Sequence, residues 1–393
     1  MDTISVLVVD DSALMRNLIS RIIDQAPDMQ VAGKAMNGDF ALQKIPLLNP
    51  DIIILDLEMP TMNGLEFLEE RRKRGIDIPV LILSSIASKG AKITMDALSM
   101  GAADFITKPS GSISTDIHTV ADQLQALIRA YGGKYAAAAG KQIPQPPEPP
   151  RARGTAQQDI QTETFETGAT EHPRSPETIA SQQAPREYLV KSLPPLQAGT
   201  RPKTIDVIVI GISTGGPNAL RKMLAAVDRG LEVPIVVVQH MPAGFTNEFA
   251  KSLDRICPLD VKEAEEGDKL LPGRVLIAPG DYHIELRSSS VHLSQDNAEN
   301  GHRPSADVLF RSAARQFDNR CLAIIMTGMG RDGAKEIGTL FAKGAVTIGQ
   351  DQASCVVYGM PKIAFDAGYL HKQVSLSHMA DTIAAIVSNP GGS

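Results

Sequence analysis

At 393 residues the chain is too long for one core of ordinary size, and its 43% hydrophobic content is that of globular domains. A net charge of −6 excludes a nucleic-acid binder that relies on overall positive charge. The three cysteines, Cys257, Cys321 and Cys355, are far apart and without zinc spacing, which excludes a disulfide framework and predicts reduced thiols in a cytoplasmic protein. The N-terminus, MDTISVLVVDD, has no basic n-region and no apolar run reaches spanning length, so neither secretion nor membrane insertion is expected.

Residues 1–132 alternate short apolar runs with helical periodicity. Strands are expected at 4–9, 51–55, 79–83 and 104–107, with helices at 12–23, 37–47, 63–74, 89–100 and 117–131. That alternation predicts a doubly wound parallel sheet, α/β in class, with its site at the C-terminal strand ends. There stand Asp10 and Asp11, Asp56, Ser84 and Lys108. Three converging carboxylates are costly unless a hard divalent cation neutralises them, and Mg²⁺ takes carboxylates plus water. Mg²⁺ and Lys108 would then stabilise a phosphoryl group passing to Asp56, with Ser84 bonding a phosphoryl oxygen.

The segments VLVVDDSALMR, LDLEMPTMNGLEFL, LILSS and DFITKP resemble a response-regulator receiver domain of flavodoxin-like fold over residues 3–131. The resemblance implies that Asp56 accepts the phosphoryl group, that Asp10 and Asp11 help to hold Mg²⁺, and that Ser84 and Lys108 sense the phosphate. It also implies that Phe105 is the aromatic switch residue and that the last strand and helix form the output face.

From 133 to 203 the composition turns polar, and eleven of the 26 prolines lie between Pro144 and Pro202. Such a segment has little apolar area to offset ordering entropy, and a disordered, locally extended tether is expected. A flexible chain of this length spans roughly 45 Å end to end.

A second α/β domain is expected over 204–388, followed by a short disordered tail at 389–393. Strands are read at 205–210, 234–238, 275–278, 322–326 and 345–348, and helices at 217–227, 246–254, 305–317, 334–342 and 377–387. GDYHIEL and SSSVHLS read as a β-hairpin. The run IDVIVIGISTGGPN puts Ser213 on a glycine turn between a buried strand and a helix. That position suits a nucleophile, a phosphate-binding turn or a plain helix cap. Two more strand ends carry His240 and Asp332, and a serine, a histidine and an aspartate on one sheet edge can meet as a triad. The chain order Ser…His…Asp differs from that of the α/β-hydrolases, so this is a separate solution to that chemistry. His283 and His302 read as structural or rim residues.

GISTGGPNAL, VVVQHMPAGFTNEFAKSL, RVLIAPGDYHIEL, RPSADVLFRSAA and MTGMGRDGA resemble the catalytic domain of the chemotaxis protein-glutamate methylesterases, the CheB type. The resemblance implies a Ser213–His240–Asp332 triad with the backbone N–H of Met329 in the oxyanion hole. The substrates would be γ-methyl glutamate esters, and certain glutamines, on chemoreceptor cytoplasmic domains. It further implies a chemotaxis histidine kinase as phosphodonor, no cofactor for the hydrolase, and a receiver that covers the cleft until phosphorylated. A monomer that binds no nucleic acid is expected. A DNA-binding regulator would need a basic helix-turn-helix where strands alternate with helices, and a dinucleotide enzyme would need GxGxxG where GISTGG stands and an acidic end to the second strand, which instead ends in Gln239–His240.

Overall fold

The computed structural model describes residues 2–85, 88–108, 115–143 and 199–391. Pro109, the expected linker over 144–198 and the last residues of the expected tail, 392–393, lie outside the described residues.

The N-terminal sheet follows from short apolar runs buried on both faces. In chain order come β1 (Ile4–Val9), α1 (Ala13–Asp24), β2 (Met29–Ala35), α2 (Gly38–Leu48), β3 (Ile52–Asp56), α3 (Gly64–Lys73), β4 (Val80–Ser84), α4 (Ser88–Ser99), β5 (Asp104–Thr107) and α5 (Thr115–Leu127). The strands pair in parallel in the order β2-β1-β3-β4-β5. Every residue of β1, β3 and β4 is buried, as parallel strands covered by helices require. Local chemistry starts the helices. Ser12 Oγ accepts from Met15 N–H to cap α1, and Asn63 with Glu66 closes a capping box on α3. Because the chain leaves β1 towards β2 on one side and β3 lies on the other, the switch point falls between β1 and β3, where Asp10, Asp11 and Asp56 emerge.

The expected start of the linker at 133 is corrected. A π-helical turn (Ile128–Gly132) continues α5 into α6 (Gly133–Ala138). Beyond it, Lys141 Nζ reaches both carboxylate oxygens of Asp51 at 2.9 and 2.8 Å, and Gln142 N–H donates to Asp2. The sequence change to AAAAG marks another helix, since alanine is the best helix former. At the far end Gly199 N–H and Thr200 O already bond Phe341 and Asn319, inside the stretch expected to be tether.

The C-terminal domain comprises β6 (Val207–Ile212), α7 (Gly216–Ala225), β7 (Ile235–Gln239), α8 (Phe245–Asp254), β8 (Asp260–Glu263), β9 (Arg274–Ile277), the hairpin β10 (His283–Arg287) and β11 (Ser290–Ser294), α9 (Ala306–Gln316), β12 (Cys321–Ile325), α10 (Ala334–Ala342), β13 (Val346–Gln350), α11 (Met360–Asp366), β14 (Lys372–Val374) and α12 (Met379–Ser388). Seven strands pair in parallel in the order β14-β13-β12-β6-β7-β9-β8. β6 is central and wholly buried. Each of its Val and Ile side chains contributes roughly 1.5–3 kcal/mol. β7, β6 and β12 are neighbours, so the residues that follow them share one edge.

The two domains pack against each other. Asn218 Nδ2 donates to Ala102 O and Ala103 O at 3.0 and 2.7 Å, and Lys134 Nζ donates to Cys355 O at 2.6 Å. The Phe105 ring stacks on Phe245, with centroids 5.2 Å apart and planes 4° from parallel.

Candidate active site

In the N-terminal domain, ligand oxygens of Asp10, Asp11 and Asp56 all lie within 4.8 Å of one another. Lys108 Nζ stands 3.0 Å from Asp10 Oδ2 and 2.7 Å from Asp56 Oδ2. Burial pushes the Asp56 carboxyl up, with Lys108 pulling the other way. Burial also works against the Lys108 ammonium, but the carboxylates outweigh it and hold its pKa above the ordinary value. Three carboxylates here share the single Lys108 ammonium, with Asp10 Oδ2 buried against it, and this all-oxygen donor set fits a hard divalent cation. Ser84 Oγ lies 2.6 Å from Thr94 Oγ1, and Phe105 is turned into the domain interface.

In the C-terminal domain, Ser213 follows β6, His240 follows β7, and Asp332 lies in the loop between β12 and α10. His240 Nδ1 is 3.0 Å from Ser213 Oγ, and His240 Nε2 is 2.8 Å from Asp332 Oδ2. A carboxylate only accepts, so Nε2 carries the proton and Nδ1 is left to accept from the serine hydroxyl. The ring is used the opposite way round from the serine-protease triad, in which Nε2 faces the serine.

The nucleophile turn is tightly held. Ser213 N–H donates to Thr327 O, Gly216 N–H to Ser213 O, Gln239 Nε2 to Ser213 O, and Thr327 Oγ1 to Thr214 O. Gly328 is required by close approach, because a Cβ there would lie 2.8 Å from Ser213 Cβ. Met329 is in the same loop as Asp332, and among the described residues nothing accepts from its backbone N–H.

Asp332 is buried and surrounded by donors. Its Oδ1 accepts from Ser305 Oγ at 2.6 Å and Asn300 Nδ2 at 2.9 Å, and its Oδ2 from Ala306 N–H at 2.6 Å. Burial would raise its pKa, but His240, Ser305 and Ala306 override this and hold the carboxyl well below the usual range. Nearby Asp307 is pushed up to about 6 by burial and by the charge of Asp332.

A cavity of about 440 Å³ opens on these groups. The C-terminal domain lines it with Ser213, His240, His302 and Met329, and the N-terminal domain with Asp104, Phe105 and Gln123. Asp104 Oδ2 accepts the Gly215 N–H at 2.9 Å, two residues past Ser213. Gly215 has φ +78°, which a glycine adopts without strain.

His283 is buried with Nε2 against Asn297 O, as a structural residue. His302 is half-buried at the cavity wall, and its ring lies flat on that of His240. Asn300, Ser305 and Asp104 went unread in the sequence. Ser305 looks like the cap of α9, but its hydroxyl goes to Asp332 and makes no cap bond.

The CheB methylesterase family matches residues 208–383, and the response regulator receiver domain family matches residues 6–119. A Treponema denticola protein named protein-glutamate methylesterase/protein-glutamine glutaminase is 50% identical over 387 residues, 98% of this chain and 98% of its own. A protein of the same name from Treponema pallidum is 48% identical over 393 residues, covering 97% and 96%. Among solved structures, the catalytic domain of the Thermotoga maritima CheB methylesterase is 37% identical, covers 47% of this chain and 100% of its own, and superposes with a TM-score of 0.46. With identity of this level running the length of both domains, the chain belongs to the CheB family of protein-glutamate methylesterases/protein-glutamine glutaminases that carry an N-terminal receiver.

Proposed function

We propose that the chain removes γ-methyl esters from glutamates of chemoreceptor cytoplasmic domains, and converts certain receptor glutamines to glutamate, under control of phosphorylation at Asp56. The observation that carries this reading is the continuous relay from Ser213 Oγ through His240 to Asp332 at an open cavity, in a chain of this family. Ser213 attacks the ester carbonyl as its proton passes to His240 Nδ1, and Asp332 stabilises the imidazolium through Nε2–H. The Met329 N–H supports the developing oxyanion. His240 then protonates the departing methoxy group and methanol leaves. Water, deprotonated by the same nitrogen, opens the acyl-enzyme to give the glutamate and restore Ser213. With glutamine the same steps expel ammonia.

In the receiver, Asp10, Asp11 and Asp56 would hold Mg²⁺, which when bound neutralises the charge of carboxylates and phosphoryl oxygens. Asp56 accepts the phosphoryl group from a chemotaxis histidine kinase. Lys108 stays against it, and Ser84 exchanges its Thr94 partner for a phosphoryl oxygen. The face that carries Phe105 lies on the triad cavity, so a change at β5 reaches the catalytic domain directly. The reading includes a cytoplasmic monomer without nucleic-acid partner, and none of the described helices is long and apolar enough to cross a membrane.

The test follows methanol and ammonia release from methylated and glutamine-bearing receptor fragments. Acetyl phosphate with Mg²⁺ should raise both. EDTA should return the rate to its basal level and leave that level untouched, because no metal serves the hydrolase. A basal rate that vanishes with EDTA would contradict the metal-free mechanism.

A further inference from the structure

The segment from Glu299 to Ala306 surrounds the acid end of the triad. It is closed by paired backbone bonds between Glu299 and His302, at 3.1 and 2.9 Å. Asn300 and Ser305 both donate to Asp332. Arg303 clamps the next position. Its Nε and a terminal nitrogen reach Asp281 Oδ1 at 3.1 and 2.6 Å, and its other terminal nitrogen reaches Gln295 O and Asp296 O at 2.9 and 3.0 Å. His302 is thus fixed from both sides, and its ring lies 3.8 Å from that of His240, with planes 13° apart.

The two hydrogen bonds of His240 lie in the plane of its ring. They define where Nδ1 and Nε2 point, but they resist tilting out of that plane weakly, and the second side-chain torsion of histidine is broad. A flat ring against the face supplies the missing restraint. The face must also be neutral, because His240 becomes a cation when it takes the serine proton. A neutral aromatic face attracts a cation, whereas a charged one repels it. Burial and the neighbouring His240 hold His302 down at about 4, so it is neutral at working pH.

We infer that His302 is a positioning residue of the hydrolase, an uncharged wall that holds the His240 imidazole in line between Ser213 and Asp332 and tolerates its charge in the transition state. The inference rests on the proposed esterase reaction. It makes no contact with substrate necessary, so its effect falls on kcat rather than on KM.

The test uses the full chain with Mg²⁺ and acetyl phosphate, and measures methanol release at steady state. His302→Ala should lower kcat on the order of 10- to 100-fold, as a loosened catalytic group does, with KM little changed. His302→Phe keeps a flat neutral face and should recover most of that loss. His302→Arg keeps a flat face but adds a charge, and should be as poor as alanine or poorer. Wild-type kcat in the alanine variant, or phenylalanine no better than alanine, would overturn the positioning role while leaving the esterase intact. Arginine as active as phenylalanine would overturn the requirement for neutrality. No methanol from the wild type would overturn the reaction itself, and the inference with it.

Discussion

Asp332→Asn should lower kcat on the order of 10³- to 10⁴-fold with little change in KM, as expected when a triad histidine is held in the wrong tautomer. The reason is the number of donors around this carboxylate. Its Oδ2 accepts from His240 Nε2–H and Ala306 N–H, and its Oδ1 from Ser305 and Asn300. An asparagine must place an NH₂ in one of those two positions. With the NH₂ at the Oδ2 position, His240 has to accept at Nε2, its proton moves to Nδ1, and Ser213 faces a donor. With the NH₂ at the Oδ1 position, it opposes the amide of Asn300. The first orientation breaks the relay and the second removes the charge that stabilises the imidazolium, both without loss of volume, so thermal stability should fall far less than the rate. Steady-state methanol release alongside a melting curve checks this, and an asparagine variant within ten-fold of wild type would remove Asp332 from the mechanism.

Asp104→Ala should raise the rate seen without phosphodonor, towards but not beyond the stimulated rate. On the reading that the docked receiver restrains the enzyme, this side chain is the most direct restraint on the nucleophile turn. Its Oδ2 accepts Gly215 N–H, its Oδ1 accepts Phe105 N–H, and Tyr131 Oη donates to Oδ2 at 3.4 Å. A hydrogen bond to a charged group is worth about 1.5–3 kcal/mol. Burial offsets part of that, since it pushes the Asp104 carboxyl up to about 6 against the pull of the two N–H groups. A net loss of about 1 kcal/mol would shift the docked and undocked populations roughly five-fold. The ceiling follows because the variant adds no catalytic group and only frees those already present. A basal rate equal to wild type would show that the contact at Gly215 restrains nothing.

Legibility in the sequence followed burial. The central strands β1, β3, β6, β7 and β12 are buried on both faces, so they read as unbroken apolar runs. The strands missed were β2, β8 and β14, all at sheet edges, where MQVAGKA, DVKE and KQV alternate or expose polar residues. The short α11, opened by a proline in its first turn, also escaped. At the site, Ser213, His240 and Asp332 were legible because each follows a strand. Asn300, Ser305 and His302 were not. They act through a loop whose shape is set by Arg303 and by the Glu299–His302 pairing, and no periodicity marks such a loop. The contact of Asp104 with Gly215 spans separate domains and carries no local signal.

The most direct test of the central claim is methanol release from methylated receptor fragments by the wild type and by Ser213→Ala, each with and without acetyl phosphate and Mg²⁺. The wild type should release methanol, with a clear rise on adding phosphodonor, and the variant should release none under either condition. Release by Ser213→Ala at the wild-type rate would contradict that claim.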